Sequence, residues 1–322
     1  MNKKPILIIC GEPNSIFLEI IIKSFKKFKS KKPILLIGSH NLILSQLKKM
    51  KIKTKLNLVK YNSNLFKQLD TVKINILNVD YKFKKPFEKI SSKSNKYIEK
   101  CFDISFKIIA SNKISGLING PISKKFFLGK KHQGITEYLA KKFKLDQNFA
   151  MLIYNKNFSV SPVTTHIPIN LVKNRINKKL IVTKCLLISK FYKKFFNRNL
   201  KIAVCGLNPH CENFFELSEE KKIIEPAIKY LREKKINIDG PMPADTIFLK
   251  QNLKKYDVIL GMYHDQVLAP IKALNGFDAI NLTLGLPFIR VSPDHGPNIS
   301  MLGRNKSSPQ SLIETIKFLN KF

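Results

Sequence analysis

An α/β fold is predicted by three features of the 322-residue sequence. Short apolar runs rich in β-branched residues alternate with longer amphipathic segments along the chain, the order of a largely parallel sheet layered with helices. Several apolar runs end in compact polar clusters built on Gly, Pro, Asn and His, at the strand ends where open α/β sheets place their ligands. No Gly/Ser/Pro linker and no internal repeat interrupts the alternation. Any second lobe is therefore built by the chain crossing over, with a cleft between lobes and the last helix returning to the first.

Taken in order, residues 6–10 are an unbroken apolar run and read as the first strand, stopped by the turn Gly11-Glu12-Pro13-Asn14-Ser15. Residues 16–28 follow with helical spacing of apolar positions. Residues 34–37 are a second strand, and the lysine-rich stretch after them is too weakly patterned to assign. Residues 74–79 read as a strand, 95–110 as a helix and 115–119 as a strand closed by Gly120-Pro121-Ile122-Ser123-Lys124. Gly134-Ile135-Thr136-Glu137-Tyr138 opens a helix, with Thr136 placed to cap it or to touch a ligand. The second half repeats the alternation: strands at 150–154 and 158–163, a helix at 176–196, a strand at 201–205 and a helix at 218–235. Gly240-Pro241-Met242-Pro243-Ala244-Asp245-Thr246 reads as a rigid turn. Strands at 257–260 and 279–284 follow, and residues 308–322 form the closing helix.

The composition narrows the function classes. A formal charge of +36 invites a nucleic-acid reading. Arginine, the residue suited to bidentate phosphate and base contacts, is nevertheless confined to Arg175, Arg198, Arg232, Arg290 and Arg304, and the lysines are spread along the whole chain. We expect no specific nucleic-acid partner, only a basic surface that steers anionic substrates inward. The five cysteines, Cys10, Cys101, Cys185, Cys205 and Cys211, contain no CxxC pair, which argues against a zinc knuckle or thioredoxin-like motif and for a reducing compartment. The apolar stretch after Lys3 and Lys4 is too short for a signal sequence, and no run approaches the ~20 residues of a membrane span. The expected localisation is cytoplasmic, with no membrane partner.

Three histidines carry the chemistry. His166 lies in Thr164-Thr165-His166-Ile167-Pro168, His210 in Asn208-Pro209-His210 and His264 in Met262-Tyr263-His264-Asp265-Gln266, each just past an apolar run that reads as a strand. Equivalent strand-end positions let three imidazoles converge on one metal and leave coordination sites open for substrate or water. Asp265, beside His264, either fixes an imidazole or accepts a proton. Asp245 is either a helix N-cap or a catalytic carboxylate. Lys272, Asn281 and Arg290 offer two cations and an amide to a phosphate or carboxylate. Asp294 and His295 are as readily structural as catalytic. Neither a GxGxxG fingerprint nor a Walker loop is present, so the cofactor-binding residues are not assigned.

Read together, Gly11-Glu12-Pro13, Gly120-Pro121-Ile122, Gly134-x-Thr136-Glu137, Thr165-His166-Ile167-Pro168, Asn208-Pro209-His210, Gly240-Pro241-x-Pro243-Ala244-Asp245-Thr246, Met262-Tyr263-His264-Asp265-Gln266 and the stretch from Asn281 to Arg290 cover nearly the whole chain. In this order they resemble the 4-hydroxythreonine-4-phosphate dehydrogenases of vitamin B6 biosynthesis. The resemblance implies an isocitrate/isopropylmalate-dehydrogenase-like fold of two α/β lobes, residues 1–132 plus 299–322 and residues 133–298, the second lobe carrying the metal histidines and a dimer interface. It implies a homodimer with a shared active site in the cleft. His166, His210 and His264 would hold a divalent metal (Zn, Mg or Co). Thr136, Lys272, Asn281 and Arg290 would bind a phosphorylated hydroxy acid, with Asp245, Asp265 and Lys272 as catalytic candidates. The implied reaction oxidises a secondary alcohol with NAD or NADP, and the β-keto acid then loses carbon dioxide.

The chain departs from the family pattern at three places. Ile135 stands where the family has a histidine, Ser15 and Phe17 replace glycines, and Cys211-Glu212-Asn213-Phe214-Phe215 replaces a glycine-rich stretch. These departures keep two further readings open: a related dehydrogenase acting on a threonate or erythronate phosphate, and a paralogue that binds its ligand without turnover.

Overall fold

A computed structural model describes residues 4–129, 132–211, 218–276, 278–293 and 295–322. In chain order the strands are β1 Ile6–Ile9, β2 Ile34–Gly38, β3 Leu56–Val59, β4 Ile74–Asn78, β5 Gly116–Asn119, β6 Ala150–Tyr154, β7 Ser159–Pro162, β8 Ile202–Cys205, β9 Ile238–Met242, β10 Val258–Gly261, β11 Ile280–Leu284 and β12 Arg290–Pro293. The helices are α1 Phe17–Lys27, α2 His40–Lys49, α3 Asn95–Ile109, α4 Ile135–Lys142, α5 Val172–Arg175, α6 Lys178–Phe196, α7 Glu225–Glu233, α8 Lys250–Leu253, α9 His264–Asn275 and α10 Gln310–Leu319. The chain divides into two compact units, Met1–Ile135 with Phe288–Phe322, and Thr136–Pro287. Both are α/β, as the alternation predicts.

In the first unit the strands run in the order β3-β4-β2-β1-β5-β12, and every pairing among them is parallel. β1 lies inside, paired with β2 and β5, and all four of its residues are buried. That double-sided burial explains its unbroken apolar sequence. Two of the quoted motifs meet here. Gly11 adopts φ +69, and a Cβ on it would lie 2.5 Å from the Pro121 carbonyl oxygen, so only glycine fits. The Glu12 amide donates to that same oxygen at 2.8 Å. Phe17, one of the residues standing in place of a glycine, is buried and packs onto Gly120, where a Cβ would sit 2.3 Å from the Phe17 ring.

The second unit orders its strands β11-β6-β7-β10-β8-β9. β11, β6 and β7 pair antiparallel, while β7, β10, β8 and β9 are parallel. One core joins this sheet to α9: Met151, Ile153, Val160, Ala203 and Ile259 from strands meet Val267 and Ile271 from the helix. Each of these side chains larger than alanine contributes roughly 1.5–3 kcal/mol through burial. The core thus fixes α9, whose first residue is His264.

The structure departs from the sequence expectations at several elements. The unassigned lysine-rich stretch contains α2, capped by the Ser39 hydroxyl accepting from the Leu42 amide and burying Leu42, Ile43, Gln46 and Leu47. It also contains β3, an edge strand with Leu58 55% exposed, which no continuous apolar run could announce. The expected turn at Gly240 is partly the strand β9. The expected second lobe ran to residue 298, whereas Phe288 onward belongs to the first unit, because β12 pairs with β5 through Arg290↔Leu117 and Val291↔Ile118. Residues 212–215 and Asp294 lie outside the described residues. No helix among the described residues is long and apolar enough to cross a membrane.

α6 starts at the N-cap Asn177, whose Oδ1 accepts from the Leu180 amide at 2.8 Å, and ends with Asn197 in the left-handed region at φ 49. It buries Lys184, whose ammonium donates to the Phe149 carbonyl and lies 4.3 Å from that ring's centroid. Burial pulls this lysine down to about 8, although the Glu137 charge acts in the opposite sense. A lysine depressed on folding binds fewer protons in the native state than in the unfolded one, so stability rises with pH between about 8 and the unfolded value near 10.4. The expected gain across that window is roughly 3 kcal/mol. Denaturant unfolding at a series of pH values should show the rise in wild type and lose it in Lys184→Met; parallel profiles would refute this account of Lys184.

Candidate active site

β7, β10 and β8 are adjacent and parallel, so the segments leaving their C-terminal ends emerge side by side. These segments carry His166, His264 and His210. Hydrogen bonds tie them together at Met262. The Thr164 amide and hydroxyl both donate to the Met262 carbonyl, at 3.1 and 2.7 Å. Gln266 accepts the Met262 amide at 2.7 Å and donates its Nε2 to the Gly206 carbonyl at 2.8 Å, joining the β10 and β8 ends. The fully buried Glu220 grips the segment before His210: its Oε1 accepts the Leu207 and Asn208 amides at 2.8 and 2.9 Å, and its Oε2 accepts the Asn208 side chain at 2.8 Å. His210 itself adopts φ 57, a left-handed conformation that few non-glycine residues take and that clusters at functional sites.

A common feature links the three imidazoles. Each presents Nδ1 to a carboxylate: His166 to Glu137 at 3.5 Å, His210 to Asp245 at 3.5 Å and His264 to Asp265 at 2.5 Å. A carboxylate on one ring nitrogen directs the other toward a ligand. The His166 and His264 rings face each other with centroids 5.3 Å apart. They line a cavity of about 260 Å³ together with Thr165, Ile169, Val172 and Tyr263. His210 is not among its lining residues. Among the described residues no three or more His, Cys, Asp or Glu side chains are gathered closely enough to hold a metal ion. The donor set is of the type that holds a divalent metal: His264 Nδ1 is hydrogen-bonded to Asp265, His166 and His210 Nδ1 lie 3.5 Å from carboxylates, and a carboxylate on Nδ1 would leave Nε2 as the ligand nitrogen.

The carboxylates differ in setting. Asp265 is 82% and Asp245 54% exposed, so both are open to water and to a substrate proton. Asp245 lies 3.5 Å from His210 and caps no helix, since the next one, α8, begins at Lys250 with Leu249 as its N-cap. Glu137 is 16% exposed. Burial alone would raise its carboxyl, but the contacts with His166 and Thr165 outweigh that and hold it below the usual carboxylate range.

The expected substrate residues are placed as follows. Thr136 lies inside the first turn of α4, and its hydroxyl pairs with that of Thr283 at 3.2 Å, so it does not cap the helix. Asn281 is on β11 with its Oδ1 buried and without a hydrogen-bond partner. Lys272 is exposed in the last turn of α9, eight residues after His264 and so about 12 Å further along the axis. Arg290 belongs to the first unit, opens β12, is fully buried and donates Nε to Asn119 Oδ1 at 2.7 Å. His295 follows β12 with its ring centroid 6.0 Å from that of Phe17. Ile135, the residue in place of a histidine, is half-buried at the start of α4. Sequence reasoning gave no role to Glu137, Glu220 or Gln266. Glu137 and Gln266 lie within the quoted motifs, but only the fold brings Glu137 to His166 and Gln266 to Gly206.

A family profile described as "Pyridoxal phosphate biosynthetic protein PdxA" matches residues 29–319. The chain is 35% identical over 314 residues to a 4-hydroxythreonine-4-phosphate dehydrogenase of Sulfurihydrogenibium sp., covering 96% of this chain and 95% of that protein. It is 32% identical over 221 residues to a D-threonate 4-phosphate dehydrogenase of Pectobacterium atrosepticum, covering 68% of each. The crystal structure of a 4-hydroxythreonine-4-phosphate dehydrogenase from Klebsiella pneumoniae superposes with a TM-score of 0.84 at 27% identity, covering 98% of both chains.

Proposed function

The chain belongs to the PdxA family of pyridoxal phosphate biosynthetic proteins, and from that premise we propose that it oxidises 4-phosphohydroxy-L-threonine with NAD or NADP in a metal-dependent reaction. The substrate's secondary alcohol loses a hydride to the nicotinamide and a proton to the protein. The resulting β-keto acid releases carbon dioxide and leaves 3-amino-2-oxopropyl phosphate. The observation that carries this reading is the set of three strand-end histidines on adjacent strands, each with Nδ1 within 3.5 Å of a carboxylate.

His166, His210 and His264 would hold the metal (Zn, Mg or Co), which supplies Lewis-acid polarisation of the alcohol oxygen and of the carbonyl it becomes. Asp265 or Asp245, both open to solvent, accepts the hydroxyl proton. Thr136, Lys272, Asn281 and Arg290 hold the substrate's anionic groups, with Lys272 also a candidate for protonating the carbon left by decarboxylation. The reading includes a homodimer with a shared site, as the family resemblance implies. It also places the enzyme in the cytoplasm, where its five free thiols would stay reduced.

The D-threonate 4-phosphate dehydrogenase relative, together with Ile135 in place of a histidine, supports one alternative: D-threonate 4-phosphate as the preferred substrate. Measuring kcat/KM for both compounds separates the two. The proposal expects 4-phosphohydroxy-L-threonine to be favoured at least about tenfold, a difference of about 1.4 kcal/mol in transition-state binding; the reverse order would transfer the assignment to the threonate phosphate.

A further inference from the structure

Of the three histidine–carboxylate pairs, the one at His166 differs in kind. Asp245 and Asp265 are largely exposed and share their histidines with water, whereas Glu137 is 16% and His166 24% exposed. The Glu137 carboxylate is fixed from two directions. The Thr165 hydroxyl donates to its Oε1, and α4 holds its backbone one residue after Thr136, which is itself pinned to Thr283. Its other oxygen, Oε2, is buried without a hydrogen-bond partner, and so is His166 Nδ1. Leaving two such atoms unsatisfied costs roughly 1–3 kcal/mol each. The closest ion-pair distance between the two side chains is 3.5 Å, from Nδ1 to Oε1, the oxygen that already accepts from Thr165. A shift of a few tenths of an ångström brings Nδ1 within hydrogen-bond distance of this carboxylate, in the way that hydrogen bonds at sites like this one tighten when a ligand engages.

We propose that Glu137 is the positioning residue of His166: it accepts the Nδ1 proton, so that the imidazole stays in the tautomer with a lone pair on Nε2 directed at the cavity it shares with His264. This rests on the metal reading above only for the identity of what Nε2 meets; the control of the tautomer stands on the Glu137–His166–Thr165 geometry. Burial makes this pair the most constrained of the three, since water cannot substitute for the carboxylate.

The test uses the full-length protein, in wild-type, Glu137→Gln, His166→Ala and double-variant forms. Histidine ¹⁵N spectra of the metal-free protein should show His166 protonated on Nδ1 in wild type, with that tautomer lost or mixed in Glu137→Gln. Competition for Zn²⁺ against a chelator should show Glu137→Gln binding about 10- to 100-fold more weakly. In the His166→Ala background the same substitution should cause no further loss, because Glu137 acts through that ring. An Nε2-protonated His166 in wild type, an unchanged tautomer in Glu137→Gln, or additive losses in the double variant would each overturn the proposal. Should wild type take up no Zn²⁺, the metal reading fails, while the tautomer spectra still decide the role of Glu137.

Discussion

Replacing His210 should strip the enzyme of its metal and lower kcat/KM by about a thousandfold or more, since polarisation of the reacting oxygen is worth several kcal/mol. The choice of replacement matters. His210 sits at φ 57, where alanine is strained and asparagine is tolerated. His210→Asn therefore removes the ligand while keeping the local backbone preference, and Glu220 still grips the preceding amides. Elemental analysis should find about one divalent ion per chain in wild type and little in the variant, with the melting temperatures of the two metal-free proteins nearly equal. A variant that keeps its metal would remove His210 from the ligand set.

The second large effect is expected at Arg290. A guanidinium makes two parallel charge-assisted bonds to a phosphate or carboxylate, and lysine keeps the charge but not the fork. Arg290→Lys should weaken transition-state binding by roughly 1.5–3 kcal/mol, lowering kcat/KM about 10- to 160-fold, with metal content unchanged. The structure sharpens the competing explanation, because Arg290 is fully buried and its Nε is bound to Asn119. Thermal unfolding measured beside the kinetics distinguishes them. Wild-type kinetics, or a variant that fails to fold, would make Arg290 a structural residue tied to Asn119.

What could be read from the sequence followed from how local the cause was. Strands buried on both faces, such as β1 and β10, announced themselves as unbroken apolar runs, and the histidines were found because they lie just past such runs. β3 escaped because an edge strand keeps residues such as Leu58 in solvent and so carries no continuous apolar signal. β12 escaped because its place in the first unit depends on pairing with β5, 173 residues earlier in register (Arg290↔Leu117). The partners of the histidines split the same way. Asp265 is adjacent to His264 in the chain and was noticed, whereas Glu137 is brought to His166 and Glu220 to Asn208 by tertiary packing. The motif around Glu137 is visible in the sequence, but nothing local in it says that the carboxylate faces His166.

Metal-dependent oxidation of 4-phosphohydroxy-L-threonine by a nicotinamide is tested most directly by absorbance at the reduced-nicotinamide wavelength when purified protein meets this substrate and NAD or NADP, before and after chelation. The expected result is substrate-dependent formation of the reduced cofactor with matching release of carbon dioxide, abolished by the chelator and restored by Zn²⁺, Mg²⁺ or Co²⁺. Full activity in the thoroughly chelated, metal-free protein, or no reduction of either nicotinamide with metal present, would contradict it.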